Sequence, residues 1–178
     1  MSLIVITGGV RSGKSRIGEQ QAASSPQVLY IATGQASDEE MANRIKLHQD
    51  RREAHWRTLE EPDSLLATVA HFRPDETVLV DSLTTWVSNQ LIRVPEEQIR
   101  DQAVTQQIMQ ELDQWLQEIA RKQQRVIVIT DEVGLGGIAM SRLGRWFQDV
   151  LGEANQRLAA AADEVYAVFS GIAVRIKG

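Results

Sequence analysis

Two groups of residues in this chain have types and spacings suited to chemistry on a polyphosphate. The first is Gly8-Gly9-Val10-Arg11-Ser12-Gly13-Lys14-Ser15, directly after the apolar run Leu3–Thr7 and directly before a helical pattern. Its glycines allow backbone N–H groups to turn inward around a β-phosphate, and the following helix adds its positive N-terminal end. Lys14 places an ammonium between the β- and γ-phosphates, where it is expected to be catalytic, and Ser15 supplies a hydroxyl for Mg²⁺. A chance glycine turn is the bland alternative, and the strand–loop–helix context argues against it. Asp81 closes Val78-Leu79-Val80-Asp81 as a Walker B carboxylate does, there to hold Mg²⁺ directly or through water. An Asp that merely turns the chain at a strand end is the other reading of it. Asp131 and Glu132 end the next apolar run in the same way. Ligands of open α/β sheets gather at the carboxyl ends of strands, so all three are expected to face a nucleotide.

The second group lies between Arg44 and Arg57. If the segment Asp38–Glu53 is helical, with Ser37 as N-cap and Glu40 completing a capping box, then Arg44, His48, Arg51 and Arg52 share one stripe. Guanidinium groups would neutralise phosphoryl oxygens and keep the imidazole neutral and nucleophilic. Met41 and Ile45 fall on the same stripe, so His48 reads equally as a hydrogen-bonded residue at a core edge. For His55 and Trp56 a capped turn is the expectation, and His71 carries no functional signal.

These groups need elements to hold them. Leu3–Thr7, Val28–Thr33, Thr77–Val80 and Arg125–Thr130 are continuously apolar runs without alternation, as parallel strands covered on both faces require. Helices are expected over Lys14–Ala23 and over about Gln98–Lys122, where Val104, Ile108, Leu112, Trp115, Leu116 and Ile119 form one stripe. A further helix is expected over Gly152–Ala162, followed by a hairpin within Val165–Ile176 that turns at Ser170-Gly171. The alternation predicts an α/β fold, a mostly parallel sheet with helices on both faces, closed by a C-terminal β-hairpin. At 178 residues a single domain over 1–178 is expected.

Composition narrows the function. The chain is 43% hydrophobic and 24% charged with a net charge of −5, which disfavours non-specific nucleic-acid binding. The absence of cysteine excludes disulfides and thiolate metal sites. The first apolar run is too short for a signal-peptide core, and no apolar stretch reaches the roughly 20 residues of a membrane span. A cytoplasmic enzyme without membrane insertion is expected.

Taken together the motifs resemble the bifunctional adenosylcobinamide kinase/adenosylcobinamide-phosphate guanylyltransferases. The resemblance runs through Thr7 to Arg16, Tyr30-Ile31-Ala32-Thr33, Arg44-Ile45-x-x-His48, His55-Trp56-Arg57-Thr58-x-Glu60 and Val80-Asp81-Ser82-Leu83-Thr84-x-Trp86. It continues through Glu132-Val133-Gly134 and the string from Asn155 to Val165, so it covers nearly the whole chain in order. It implies a three-layer, RecA-like P-loop NTPase fold and a homotrimer. It also implies two reactions: phosphorylation of adenosylcobinamide by ATP or GTP, then transfer of GMP from GTP to adenosylcobinamide phosphate. The second passes through a GMP–histidine intermediate, whose place His48 fits. Nucleotide contacts are implied at Gly8 to Ser15, Thr33, Gly34, Gln35, Gln49, Asp50, Arg51, Arg52, Glu60 and Asp81, with Mg²⁺ at Ser15 and Asp81. One departure stands out. Where the family commonly has Asn-Glu-Val-Gly-x-Gly-Ile-Val-Pro-Glu-Asn, this chain has Asp131 in place of the first Asn and lacks the Pro-Glu-Asn element. A carboxylate there is unfavourable beside a triphosphate unless it meets Mg²⁺ or a lysine. The competing functions are a small-molecule kinase with His48 structural, a nucleotide-binding regulatory module and, weakest, a nucleic-acid-dependent motor.

Overall fold

The computed structural model describes residues 2–34 and 55–178. Seven strands form one sheet in the order β3-β2-β4-β5-β1-β6-β7. They are β1 (Ser2–Gly8), β2 (Val28–Ala32), β3 (Arg57–Glu60), β4 (Thr77–Asp81), β5 (Arg125–Asp131), β6 (Glu164–Phe169) and β7 (Ile172–Lys177). All neighbouring pairs are parallel except the terminal hairpin β6–β7. The four apolar runs are the four central strands β2, β4, β5 and β1, so the expected fold class is what forms.

Continuous apolarity follows from burial on both sides. On β5, Val126 and Val128 join one core while Ile127 and Ile129 join the other. The helix that follows the glycine loop, α1 (Lys14–Ala22), covers the face of Ile4, Ile6, Leu79, Ile127 and Ile129. The opposite face carries the larger core, filled from α2 (Leu65–Thr68), α3 (Leu83–Ile92), α4 (Gln102–Arg121) and α5 (Arg142–Ala161). Trp86, Trp115 and Trp146 are buried in that layer. Each indole N–H has an acceptor there: Asp63 O, Thr68 Oγ1 and Thr105 Oγ1 respectively. Buried indoles require such partners, so these tryptophans are core residues.

Two helices differ from their expected bounds for local reasons. The long helix starts at Gln102 because Asp101 caps it, its side chain accepting from Ala103 N, while Glu96–Gln98 form a 3₁₀ turn. The helix expected from Gly152 begins ten residues earlier, at Arg142, where Ser141 accepts from Gly144 N. Gly144 and Gly152 dilute its apolar pattern. Three elements carry too weak a pattern to be expected at all: β3, α2 and α3. In α3 the β-branched Thr84, Thr85 and Val87 mimic strand composition, and Ser82 supplies the cap that starts the helix.

Candidate functional site

The glycine loop leaves β1 at the carboxyl edge of the sheet and enters α1 without an N-capping side chain. Gly13 occupies the cap position at φ 98°, a conformation that favours glycine. The cap residue therefore offers no side-chain oxygen to the first-turn N–H groups of α1, and no acidic residue lies in that turn, which leaves the positive helix end to an anion. Gly8 is needed for a different reason. A Cβ there would lie 2.5 Å from Val168 O and 2.7 Å from Ser12 Oγ. The loop is pinned on both flanks: Glu132 N donates to Gly8 O at 3.1 Å, and Gly171 N, in the β6–β7 turn, donates to Ser12 O at 2.7 Å.

Lys14 is 9% exposed, and its Nζ donates to Gly9 O at 3.2 Å. The same ammonium forms an ion pair with Asp131 Oδ1. The departure noted in the sequence thus meets its lysine. Asp131 sits opposite Gly8 in the register of β5 on β1, so the pair follows from strand alignment. A polar network holds the end of β5 from the other face of the sheet. Thr84 Oγ1 accepts from Asp131 N at 2.6 Å, Asn155 Nδ2 donates to Asp131 O at 3.0 Å, and Thr130 Oγ1 donates to Asn155 Oδ1 at 2.7 Å.

Asp81 closes β4, one strand beyond β5, level with Ile129 and therefore one side-chain step behind Asp131 on the α1 face. Its Oδ2 accepts from Tyr30 OH at 2.7 Å. Ser15 is half-buried in the first turn of α1, while Val10 and Arg11 are exposed at the loop tip. Thr33 is buried and its hydroxyl is committed to Ser82, donating to Ser82 O and accepting from Ser82 N, both at 2.8 Å. It ties the ends of β2 and β4 together. Gly34 follows at the same sheet edge. Glu60 is exposed at the end of β3, in register with Ala32. The structure therefore brings the glycine loop, Asp81, Thr33, Gly34 and Glu60 to the carboxyl ends of parallel strands. Gln35, His48, Gln49, Asp50, Arg51, Arg52, Arg44 and the expected helix Asp38–Glu53 lie outside the described residues.

Several residues of the motif strings turn out to be scaffold. Arg57 Nη1 reaches both carboxylate oxygens of the buried Glu76, at 2.9 and 2.8 Å, and so anchors edge strand β3. Asp163 Oδ2 accepts from Leu3 N at 2.7 Å, fixing the end of α5 to β1. Arg157 bridges α4 and α5 through Glu153 and Asp113. The Glu153 hydrogen bond, aided by both carboxylate charges, holds its guanidinium above the usual arginine range. Thr84, Thr130 and Asn155 were not recognisable as site residues from the sequence. Their signal is a spatial one, polar side chains from three elements meeting at a strand end.

A metal fits this set only in one form. Among the described residues no group of three or more His, Cys, Asp and Glu could hold an ion. Ser15 and Asp81 are hard oxygen donors of the kind that complete the shell of a Mg²⁺ whose other ligands are waters and phosphate oxygens.

Comparison with known proteins agrees with this geometry. The family model described as cobinamide kinase / cobinamide phosphate guanyltransferase matches residues 4–176. A bifunctional adenosylcobalamin biosynthesis protein CobU of Salmonella typhimurium is 45% identical, covering 98% of this chain and 99% of its own. Its namesake from Escherichia coli is 44% identical with the same coverage. The corresponding protein CobP of Pseudomonas aeruginosa is 38% identical over 98% of this chain and 96% of its own. Among solved structures the RadB recombinase superposes with a TM-score of 0.52 at 16% identity, covering 93% of this chain and 73% of that one. A Pyrococcus horikoshii protein superposes with 0.54 at 8% identity over 99% and 86%. At such identities these two likenesses concern the fold alone; in this chain it is a mostly parallel sheet that carries a P-loop and ends in an antiparallel hairpin.

Proposed function

The chain belongs to the cobinamide kinase / cobinamide phosphate guanyltransferase family, and from that premise we propose that it carries out both reactions of the family's name. In the first, the aminopropanol hydroxyl of adenosylcobinamide attacks the γ-phosphorus of ATP or GTP. The hydroxyl proton is lost and a nucleoside diphosphate leaves. In the second, a ring nitrogen of His48 attacks the α-phosphorus of GTP and pyrophosphate departs. An oxygen of adenosylcobinamide phosphate then displaces His48, giving adenosyl-GDP-cobinamide. The observation that carries this reading is the pinned glycine loop, with Lys14 buried at its centre and an uncapped helix end beneath it.

Lys14 and the N–H groups of the loop bind and orient the phosphates in both reactions, stabilising charge as it develops on the leaving oxygens. Ser15 and Asp81 would hold Mg²⁺, which when bound neutralises phosphate charge and fixes the triphosphate in one geometry. Gly34, Gln35, Gln49, Asp50, Arg51, Arg52 and Glu60 are proposed to complete the nucleotide contacts, whereas Thr33, expected among them, is fully buried with its hydroxyl, N–H and C=O all bonded within the protein and serves to hold the strand ends. Since both nucleotide substrates are cytosolic metabolites and no described helix is long and apolar enough to cross a membrane, the enzyme is proposed to act in the cytoplasm. A homotrimer is proposed on the resemblance, with the outer strand β7, exposed among the described residues, in its favour.

The test is labelling with α-labelled GTP. An acid-labile covalent adduct is expected on the wild-type chain and none on His48→Ala. Equal labelling of the two would remove His48 from the reaction. Failure to release pyrophosphate from GTP in the presence of adenosylcobinamide phosphate would leave a simple kinase with a structural His48.

A further inference from the structure

The ion pair at the heart of the glycine loop has a consequence for which polyphosphates the loop accepts. Lys14 is the one side chain of the motif that reaches between phosphates, and here its charge is already matched by Asp131. The contact joins that ammonium to a carboxylate oxygen that is itself buried. Lys14 Nζ also donates a hydrogen bond to Gly9 O. The backbone that carries the carboxylate is held in place. The N–H and C=O of Asp131 are both held, by Thr84 and Asn155, and the register of β5 keeps it opposite Gly8. A phosphate entering the loop therefore comes up against that negative charge and competes with it for the same ammonium.

From this geometry we infer that Asp131 is a positioning residue, a built-in counter-anion for Lys14. It holds the loop in register and biases the site toward metal-complexed polyphosphate over the free anion. The inference rests on the reading of Gly8–Ser15 as a phosphate site. A free polyphosphate adds its full charge beside Asp131, whereas one carrying a divalent cation brings much of its own compensation. Without the carboxylate, Lys14 is a mostly buried unpaired cation, a costly state that anion binding relieves. The relief appears as affinity.

Binding of inorganic pyrophosphate to the full chain, followed by titration calorimetry in EDTA at fixed salt, tests this directly. Asp131→Asn, nearly the same shape, and Asp131→Ala, which leaves no amide to bond Lys14, are both expected to bind on the order of tenfold more tightly than wild type. With saturating Mg²⁺ that gain shrinks. A residue of merely structural importance would lose affinity on substitution and not gain it. Unchanged or weaker binding by both variants in EDTA overturns the inference, and a gain of equal size with and without Mg²⁺ overturns the bias toward metal complexes. Lys14→Met is the control that separates the two layers. If it binds pyrophosphate as wild type does, the phosphate-site reading itself fails. If it loses binding while the Asp131 variants match wild type, only the inference fails.

Discussion

At the scale of single residues, the site depends on polar atoms that hold backbone as much as on those aimed at a ligand. Asn155 accepts from Thr130 Oγ1 and donates to Asp131 O, so one amide fixes the strand end that faces the glycine loop. Truncating it leaves a carbonyl and a hydroxyl short of partners in a part-buried setting. Asn155→Ala is expected to cost about 1–3 kcal/mol, read from the denaturant midpoint, and to weaken nucleotide binding as the end of β5 loosens. Wild-type nucleotide affinity in that variant would detach the network from the site. The sequence made Lys14, Ser15 and Asp81 legible because strand–loop–helix punctuation and a strand-ending carboxylate are local signals. Asn155 was visible only as part of a family string. Nothing in the periodicity of its helix says that it meets β5, since that contact depends on how distant elements pack. Asp131 is expected from the sequence to face a nucleotide and to need Mg²⁺ or a lysine, and the fold supplies Lys14 as its partner.

At the scale of elements, the terminal hairpin does more than close the sheet. Its turn at Ser170-Gly171 was legible, but its landing place was not, because a turn signal gives no information on what the turn touches. Gly171 N bonds Ser12 O, the site of a Cβ on Gly13 would lie 3.2 Å from Gly171 Cα, and a Cβ on Gly171 would lie 3.2 Å from Arg16 Nη2. Gly171 also holds φ 83°, which a β-branched residue adopts only under strain. Gly171→Val is therefore expected to lose about 1–3 kcal/mol of stability and, in addition, to raise the Kd for ATP. Thermal unfolding and nucleotide titration measured on the same preparation separate the two effects, and an unaltered Kd would show that the turn does not position the loop. The helical layer makes a complementary case. Trp115 is fully buried and donates to Thr68 Oγ1, so Trp115→Ala is expected to cost about 3–5 kcal/mol while leaving the Kd for ATP of the folded fraction unchanged. That stripe was legible from three- and four-residue spacing. By contrast α3 was hidden by its threonines, and β3 by its length and its place at the sheet edge.

At the scale of the whole molecule, the two edges of the sheet are treated differently. At one edge, β3 is half-buried and anchored by Arg57 to Glu76. At the other, every residue of β7 is exposed. Phe169, Ile172 and Val174 lie on one face of the hairpin, as the pairing of Phe169 with Ile172 and Ala167 with Val174 requires. They share that face with Val165, which belongs to the core beneath the helical layer, but no described helix extends over them. An apolar strip on an outer strand invites association, and natural sheets normally blunt such an edge with charge. Here Arg175 and Lys177 occupy the same strand without interrupting the strip. If the proposed trimer covers this strip, light scattering on the eluting peak should give three times the chain mass of 19.9 kDa. Val174→Lys should then shift the peak toward the mass of one chain. An exposed position of this kind changes fold stability by only about 0.5 kcal/mol either way, so an unaltered unfolding midpoint of the dissociated chain would confirm that assembly alone was lost. A wild-type peak at the mass of one chain removes the trimer. A trimeric Val174→Lys peak moves its contact elsewhere and leaves the strip to another role.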